Sequence, residues 1–145
     1  MDASTLPTRL AETRDDFRAL GIPDRLQLLL EFSNELPALP PHYADHPDLL
    51  ERVVECQSPV FIFVEIRDGV AHMYATAPAE APTTRGFASI LVQGIEGLTP
   101  DEVLAIPDDY PQTLGLGEAV SPLRVRGMTA MLARVKRQLR AQIPA

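Results

Sequence analysis

The sequence predicts an α+β fold in which a small antiparallel β-sheet of about three strands packs against N- and C-terminal helices. Three observations predict it. Residues up to Leu36 carry apolar side chains at helical spacing. Two runs rich in β-branched and aromatic residues flank Asp68-Gly69. A long helical stripe then closes the chain.

In order along the chain, Pro7 suits a helix N1 position, and Leu10, Phe17 and Leu20 form a stripe that stops at Gly21. Pro23 and Asp24 open a second helix in which Leu26, Leu29, Leu30 and Leu36 share a face, until Pro37, Pro40 and Pro41 forbid continuation. Residues 37–50 read as an irregular, proline-interrupted connection. Arg52-Val53-Val54 and the run from Pro59 to Arg67 fit pleated surfaces better than helices. Asp68-Gly69 readily takes the positive φ values of a two-residue hairpin, which makes Val70 to Thr76 the next strand and the sheet antiparallel. Phe87, Ile90 and Leu91 predict a third helix, ended by Gly94 and Gly97. Thr99-Pro100-Asp101-Glu102 has capping-box spacing and starts a short helix that ends before Pro107. Ser121-Pro122 repeats the cap logic. Beyond it Met128, Met131, Leu132, Val135 and Leu139 line the buried face of a long final helix, with Arg126, Arg134, Lys136, Arg137 and Arg140 on the other.

A length of 145 residues suits a single domain over 1–145, large enough to bury its own core without metals or cross-links. No apolar run is long enough to cross a bilayer and the first twenty residues lack a signal-peptide pattern, so a cytoplasmic location and no membrane partner are expected. One cysteine cannot close an internal disulfide. The net charge of −7 conceals an asymmetry: up to Glu118 there are seven basic and twenty acidic residues, and after it six basic and no acidic ones. A basic stripe on an acidic body, with no nucleic-acid signature, predicts no nucleic-acid partner and a helix face that pairs largely with the acidic body.

Cys56, the only cysteine, lies at a polar interruption between strand candidates, where a loop tip is natural. Position alone leaves open the common alternative, a small core hydrophobe. His42, His46 and His72 lack the spacing of a metal pair, so no metal is expected. Ser121 reads as an N-cap, since no nucleophile elbow surrounds it.

The stretch Arg52-Val-Val-Glu-Cys56-Gln57-Ser58-Pro-Val60 resembles the R-V-x-G-C-x-S-x-V/W signature of the SufE family. Upstream, Arg25-Leu-Gln-Leu-Leu-Leu-Glu-Phe32 with Leu36-Pro37 and Leu39-Pro40 is similar to the family's opening helix and proline-rich exit. Downstream, Arg85-Gly86 is similar to its (K/R)-G step, and Val120-Ser-Pro-Leu-Arg124 with Gly127-Met-Thr-Ala-Met131 to its last helix. The resemblance spans about residues 20–140. It implies the fold shared by SufE proteins and IscU-type scaffolds, and a covalent transfer partner rather than a stand-alone enzyme. In that role Cys56 takes persulfide sulfur from a SufS-type cysteine desulfurase, stimulates it, and passes the sulfur to a SufBCD-type scaffold for iron–sulfur cluster assembly. No cofactor is implied, because the pyridoxal phosphate belongs to the desulfurase. Arg124 is implied in partner docking or sulfur acceptance, with a surface arginine paired to an acid as the alternative. Gln57 and Ser58 are expected to orient the loop through side-chain to backbone hydrogen bonds. Glu55 stands where the family has glycine, which makes a positive φ there costly and sets a carboxylate beside the thiol. The carboxylate then has to point to solvent or meet a positive charge from a partner. Val60 or Ile62 is expected near the sulfur, to shield it. Cluster assembly in place would need several cysteines, and a cysteine hydrolase a placed histidine base. A module that regulates a desulfurase without accepting sulfur is the remaining alternative.

Overall fold

The computed structural model describes residues 6–143, the side chain of Glu118 excepted. Helices α1 (Thr8–Arg18) and α2 (Ile22–Asn34) form the N-terminal pair. A helical turn, α3 (Pro41–Ala44), and a 3-10 turn (Pro47–Leu49) lead to β1 (Glu51–Arg52). The 3-10 turn Val54–Cys56 follows, then β2 (Phe61–Arg67), β3 (Val70–Thr76) and α4 (Pro82–Ile95). Short helices α5 (Pro100–Leu104) and α6 (Tyr110–Thr113) and a 3-10 turn (Leu116–Glu118) precede α7 (Pro122–Gln142).

The sheet has the order β1-β2-β3 and is antiparallel throughout, with Phe61 opposite Thr76 and Arg67 opposite Val70. Asp68 at φ 56° and Gly69 at φ 80° make the two-residue turn, whose twist matches that of the strands it joins. Alternation does the rest. Ile62, Val64, Ala71, Met73 and Ala75 face the core, where α4 lies against β3 and α7 against β2. On the opposite face the Tyr43 ring from α3 stacks on Tyr74 at 4.5 Å between centroids.

β1 spans only two residues, pairing Glu51 with Ile62 and Arg52 with Phe61. Beyond it the edge of β2 would be open, and α7 closes it with side chains. Val64 N–H donates to Gln138 Oε1 at 2.8 Å and Ile66 N–H to Gln142 Oε1 at 3.1 Å, while Gln142 Nε2 donates to Val64 O at 2.6 Å. Two glutamines one turn apart thus stand in for a strand and satisfy backbone groups that would otherwise be unpaired. They also fix α7 beside the turn that follows β1.

Four local expectations need correction. Gly94 does not end the third helix but lies within α4, where a Cβ would stand 2.3 Å from Leu10 Cδ2; its lack of a side chain lets α1 approach. The first strand stops at Arg52, because Val54 enters the 3-10 turn. Residues 37–50 hold two helical turns, and α6 is not legible in the sequence because a four-residue helix has too little periodicity to be seen. Pro7 is the residue before α1, one position earlier than expected, while Thr99 forms the full capping box and Ser121 caps α7.

Two arginines of the motifs tie elements together. Arg25 Nε donates to Phe17 O (3.0 Å) and Leu20 O (2.9 Å), and its Nη1 to Gly115 O (2.9 Å). Arg85 Nε donates to Ser33 O at 2.9 Å and its Nη1 to Ala77 O at 2.6 Å. Each guanidinium directs its rigid fork at backbone carbonyls where elements meet.

Candidate functional site

The segment between β1 and β2 narrows to a tip. Val53 N–H donates to Val60 O at 2.9 Å and closes its base. Above that pair Cys56 N–H donates to Val53 O (3.1 Å), Ser58 N–H to Cys56 O (2.6 Å) and Val60 N–H to Ser58 O (2.7 Å). The positive φ that such a reversal needs falls on Gln57, at 61°, and not on Glu55. Replacement of glycine at position 55 therefore carries no left-handed strain. Among the described residues neither the Gln57 nor the Ser58 side chain makes a hydrogen bond, so backbone groups shape the loop, contrary to expectation.

Cys56 lies in the turn, as expected, yet its side chain faces inward and is 7% exposed. It shares one buried cluster with Val53, Val60, Ile62, Met128 and Met131. The thiol donates to Gly127 O on α7, with Sγ 3.6 Å from the oxygen. Gly127 is what lets the turn settle there. A Cβ on it would stand 3.2 Å from Sγ, 3.3 Å from the Cys56 Cα and 3.5 Å from Glu55 O. Burial, reinforced by the Glu55 carboxylate and partly offset by Arg134, pushes the Cys56 thiol up to about 11. At neutral pH the free chain therefore holds an un-ionised, shielded thiol, and the nucleophilic form is scarce.

The charge facing Glu55 comes from the chain itself. Arg134 Nη1 lies 2.9 Å from Glu55 Oε1, and Arg134 Nε lies 3.2 Å from Glu51 Oε2. Glu51 also accepts from Arg137 and, at 3.0 Å, from Gln138 Nε2. Glu55 stays below the usual carboxylate range, chiefly because its own backbone N–H donates to it and then because of Arg134. Arg134, Arg137 and Lys136, which pairs with Asp108 at 2.7 Å, account for half of the six basic residues beyond Glu118. The basic face does pair with the acidic body there.

Arg124 is exposed in the first turn of α7, three residues before Gly127, and its Nη1 donates to Thr83 Oγ1 at 3.0 Å. It pairs with a hydroxyl rather than an acid. His72 Nδ1 lies 2.5 Å from Glu96 Oε2. Among the described residues no three His, Cys, Asp or Glu side chains are grouped to hold a metal, and no helix is long and apolar enough to cross a membrane. The sequence does not single out Arg134 or Gly127 at this site. Their seven-residue spacing, two turns along one helix face, is the signal it carries.

These features define a class: a small α+β chain whose helix-backed antiparallel sheet carries a shielded thiol on the turn between its first two strands. Residues 11–139 match the model of the SufE family, described as an Fe-S metabolism associated domain. A SufE-like protein of Mycobacterium tuberculosis is 52% identical over 138 residues, spanning 94% of this chain and 95% of that protein. The solution structure of a hypothetical protein from Thermus thermophilus matches at a TM-score of 0.82 and 38% identity, covering 94% of this chain and 96% of its own. A protein of Plasmodium vivax named cysteine desulfuration protein SufE is 26% identical over 83 residues, 56% of this chain and 34% of its own length. The chain belongs to the SufE family.

Proposed function

We propose that this chain is a sulfur acceptor and carrier in cysteine desulfuration, with Cys56 as the residue that takes the load. The observation that supports this most directly is the placement of the only cysteine, shielded, in a narrow turn of a chain of an Fe–S metabolism family. In the transfer the Cys56 thiolate attacks the outer sulfur of an enzyme persulfide. A new S–S bond forms at Cys56 as the bond between the enzyme's two sulfurs breaks, and the enzyme cysteine leaves as thiolate. Charge and atoms balance without an external oxidant.

A thiol held near 11 and buried reacts slowly by itself, so docking has to expose it and favour its ionised form. The same shielding suits a cargo that is easily reduced or over-oxidised. The donor fitted to this chemistry is a SufS-type cysteine desulfurase, which brings its own pyridoxal phosphate. The destination is a SufBCD-type iron–sulfur scaffold. Arg124, exposed on the same helix one turn before the Gly127 notch, is the docking residue in this reading. A cytoplasmic setting fits a chain whose cysteine must stay reduced.

The test is intact mass after incubation with a desulfurase and cysteine. A reductant-labile gain of about 32 Da per sulfur that disappears in Cys56→Ser is expected. The low reactivity of the buried thiol favours a second reading, a module that stimulates the desulfurase without accepting sulfur. Stimulation that survives Cys56→Ser, with no mass gain in the native chain, would select it.

A further inference from the structure

Something must hold the Cys56 turn against α7, because its backbone hydrogen bonds, at the Val53–Val60 base and above it, run within the turn itself. Besides the buried packing of Cys56 with Met128 and Met131, two features of α7 meet the turn. One is the Gly127 notch. The other is Arg134, seven residues and two turns further along nearly the same face, about 10 Å away along the axis. A single guanidinium there faces Glu51 on β1 and Glu55 inside the turn.

The two ends of this bridge are unequal. Glu51 is anchored by Arg137 and Gln138 as well as by Arg134. Among the described residues Glu55 has Arg134 as its one side-chain partner, and its side chain is 40% exposed. Arg134 Nε is buried without a hydrogen bond, being close to Glu51 Oε2 but not aligned to donate, so the guanidinium is incompletely satisfied. If the contact parts, it parts at Glu55, and β1 keeps its place while the turn lifts from α7. The glycine of the family signature at position 55 could not make this contact, since it has no carboxylate.

We propose that Arg134 is a positioning residue that clamps the Cys56 turn onto α7 through Glu55, and that opening of this contact admits a sulfur donor to the thiol. The use of the clamp rests on the acceptor reading, but its existence does not, and the two can be tested apart. A clamp and a purely electrostatic influence predict opposite signs at Arg134, and at Glu55 they are told apart by the rate per thiolate. As charges alone, Glu55 disfavours the thiolate and Arg134 favours it, so neutralising them moves reactivity in opposite directions. As two halves of a clamp, losing either one opens the turn.

The experiment measures alkylation of Cys56 by iodoacetamide in the free full chain, with thiolate absorbance followed in parallel so that each rate is expressed per thiolate. Glu55→Gln and Arg134→Gln are each expected to raise that rate roughly two- to fivefold, the shift expected from breaking one partly exposed ion pair. The double variant should be no faster than either single one. Arg134→Lys, which keeps the charge but cannot span both carboxylates, should fall between native and Arg134→Gln. Rates per thiolate that stay at the native value in Glu55→Gln would overturn the clamp. That variant leaves α7 untouched, so its rate is decisive even if Arg134→Gln unfolds. A chain that never gains sulfur from a desulfurase would remove the acceptor reading and leave these rates unaffected.

Discussion

Replacing Gly127 by alanine inserts one methyl group at the seat of the Cys56 turn, and the structure sets the size of the response. The new Cβ would stand 3.2 Å from Cys56 Sγ and 3.3 Å from its Cα, where carbon contacts prefer about 3.5 Å or more. The turn must therefore withdraw from α7 by a few tenths of an ångström. Overpacking of this kind costs about 1–3 kcal/mol. Alanine within a helix returns roughly 0.5–1 kcal/mol relative to glycine. The net is a destabilisation of about 0–2.5 kcal/mol, a fall in melting temperature of at most about 10 °C, at about 2–4 °C per kcal/mol for a chain of this size. The informative readout is the pairing of the two effects. Thermal unfolding by circular dichroism should show no gain in stability, while iodoacetamide modifies Cys56 faster because the weak bond to Gly127 O is stretched. A melting temperature that rises as helix propensity alone dictates, with unchanged thiol reactivity, would refute the seating of the turn on Gly127.

Two other outcomes are expected. In the native chain the alkylation rate should climb about tenfold per pH unit past 9 and level only toward about 11, whereas the denatured chain levels near 9. The folded state holds the thiol proton more tightly, so its stability is complete below about 9 and declines as pH rises through about 11. A folded-state midpoint at the ordinary thiol value would show that burial does not govern this group. Arg124→Ala, which loses only an exposed bond to Thr83, should change stability by no more than about 0.5 kcal/mol. It should raise several-fold the desulfurase concentration needed for half-maximal sulfur loading, and an unchanged concentration would end its docking role.

The sequence by itself determined the hairpin, the helix caps and the long final helix, because each follows from local chemistry. Asp68-Gly69 accepts positive φ, Thr99 and Ser121 supply cap oxygens within three residues, and the stripe from Met128 to Leu139 keeps its period over several turns. The family signature singled out Cys56 by composition and order, and the chain belongs to that family. Only the tertiary structure decided how the thiol is held. Burial of Cys56 depends on Gly127, 71 residues away, and the charge balance at Glu55 on Arg134, 79 residues away. Nothing in either local sequence announces the partner. The same holds for Gln138 and Gln142, which finish the edge of β2 only because a two-residue strand leaves it open. Local periodicity reports which face of an element is buried, and the approach of distant elements decides what lies against that face.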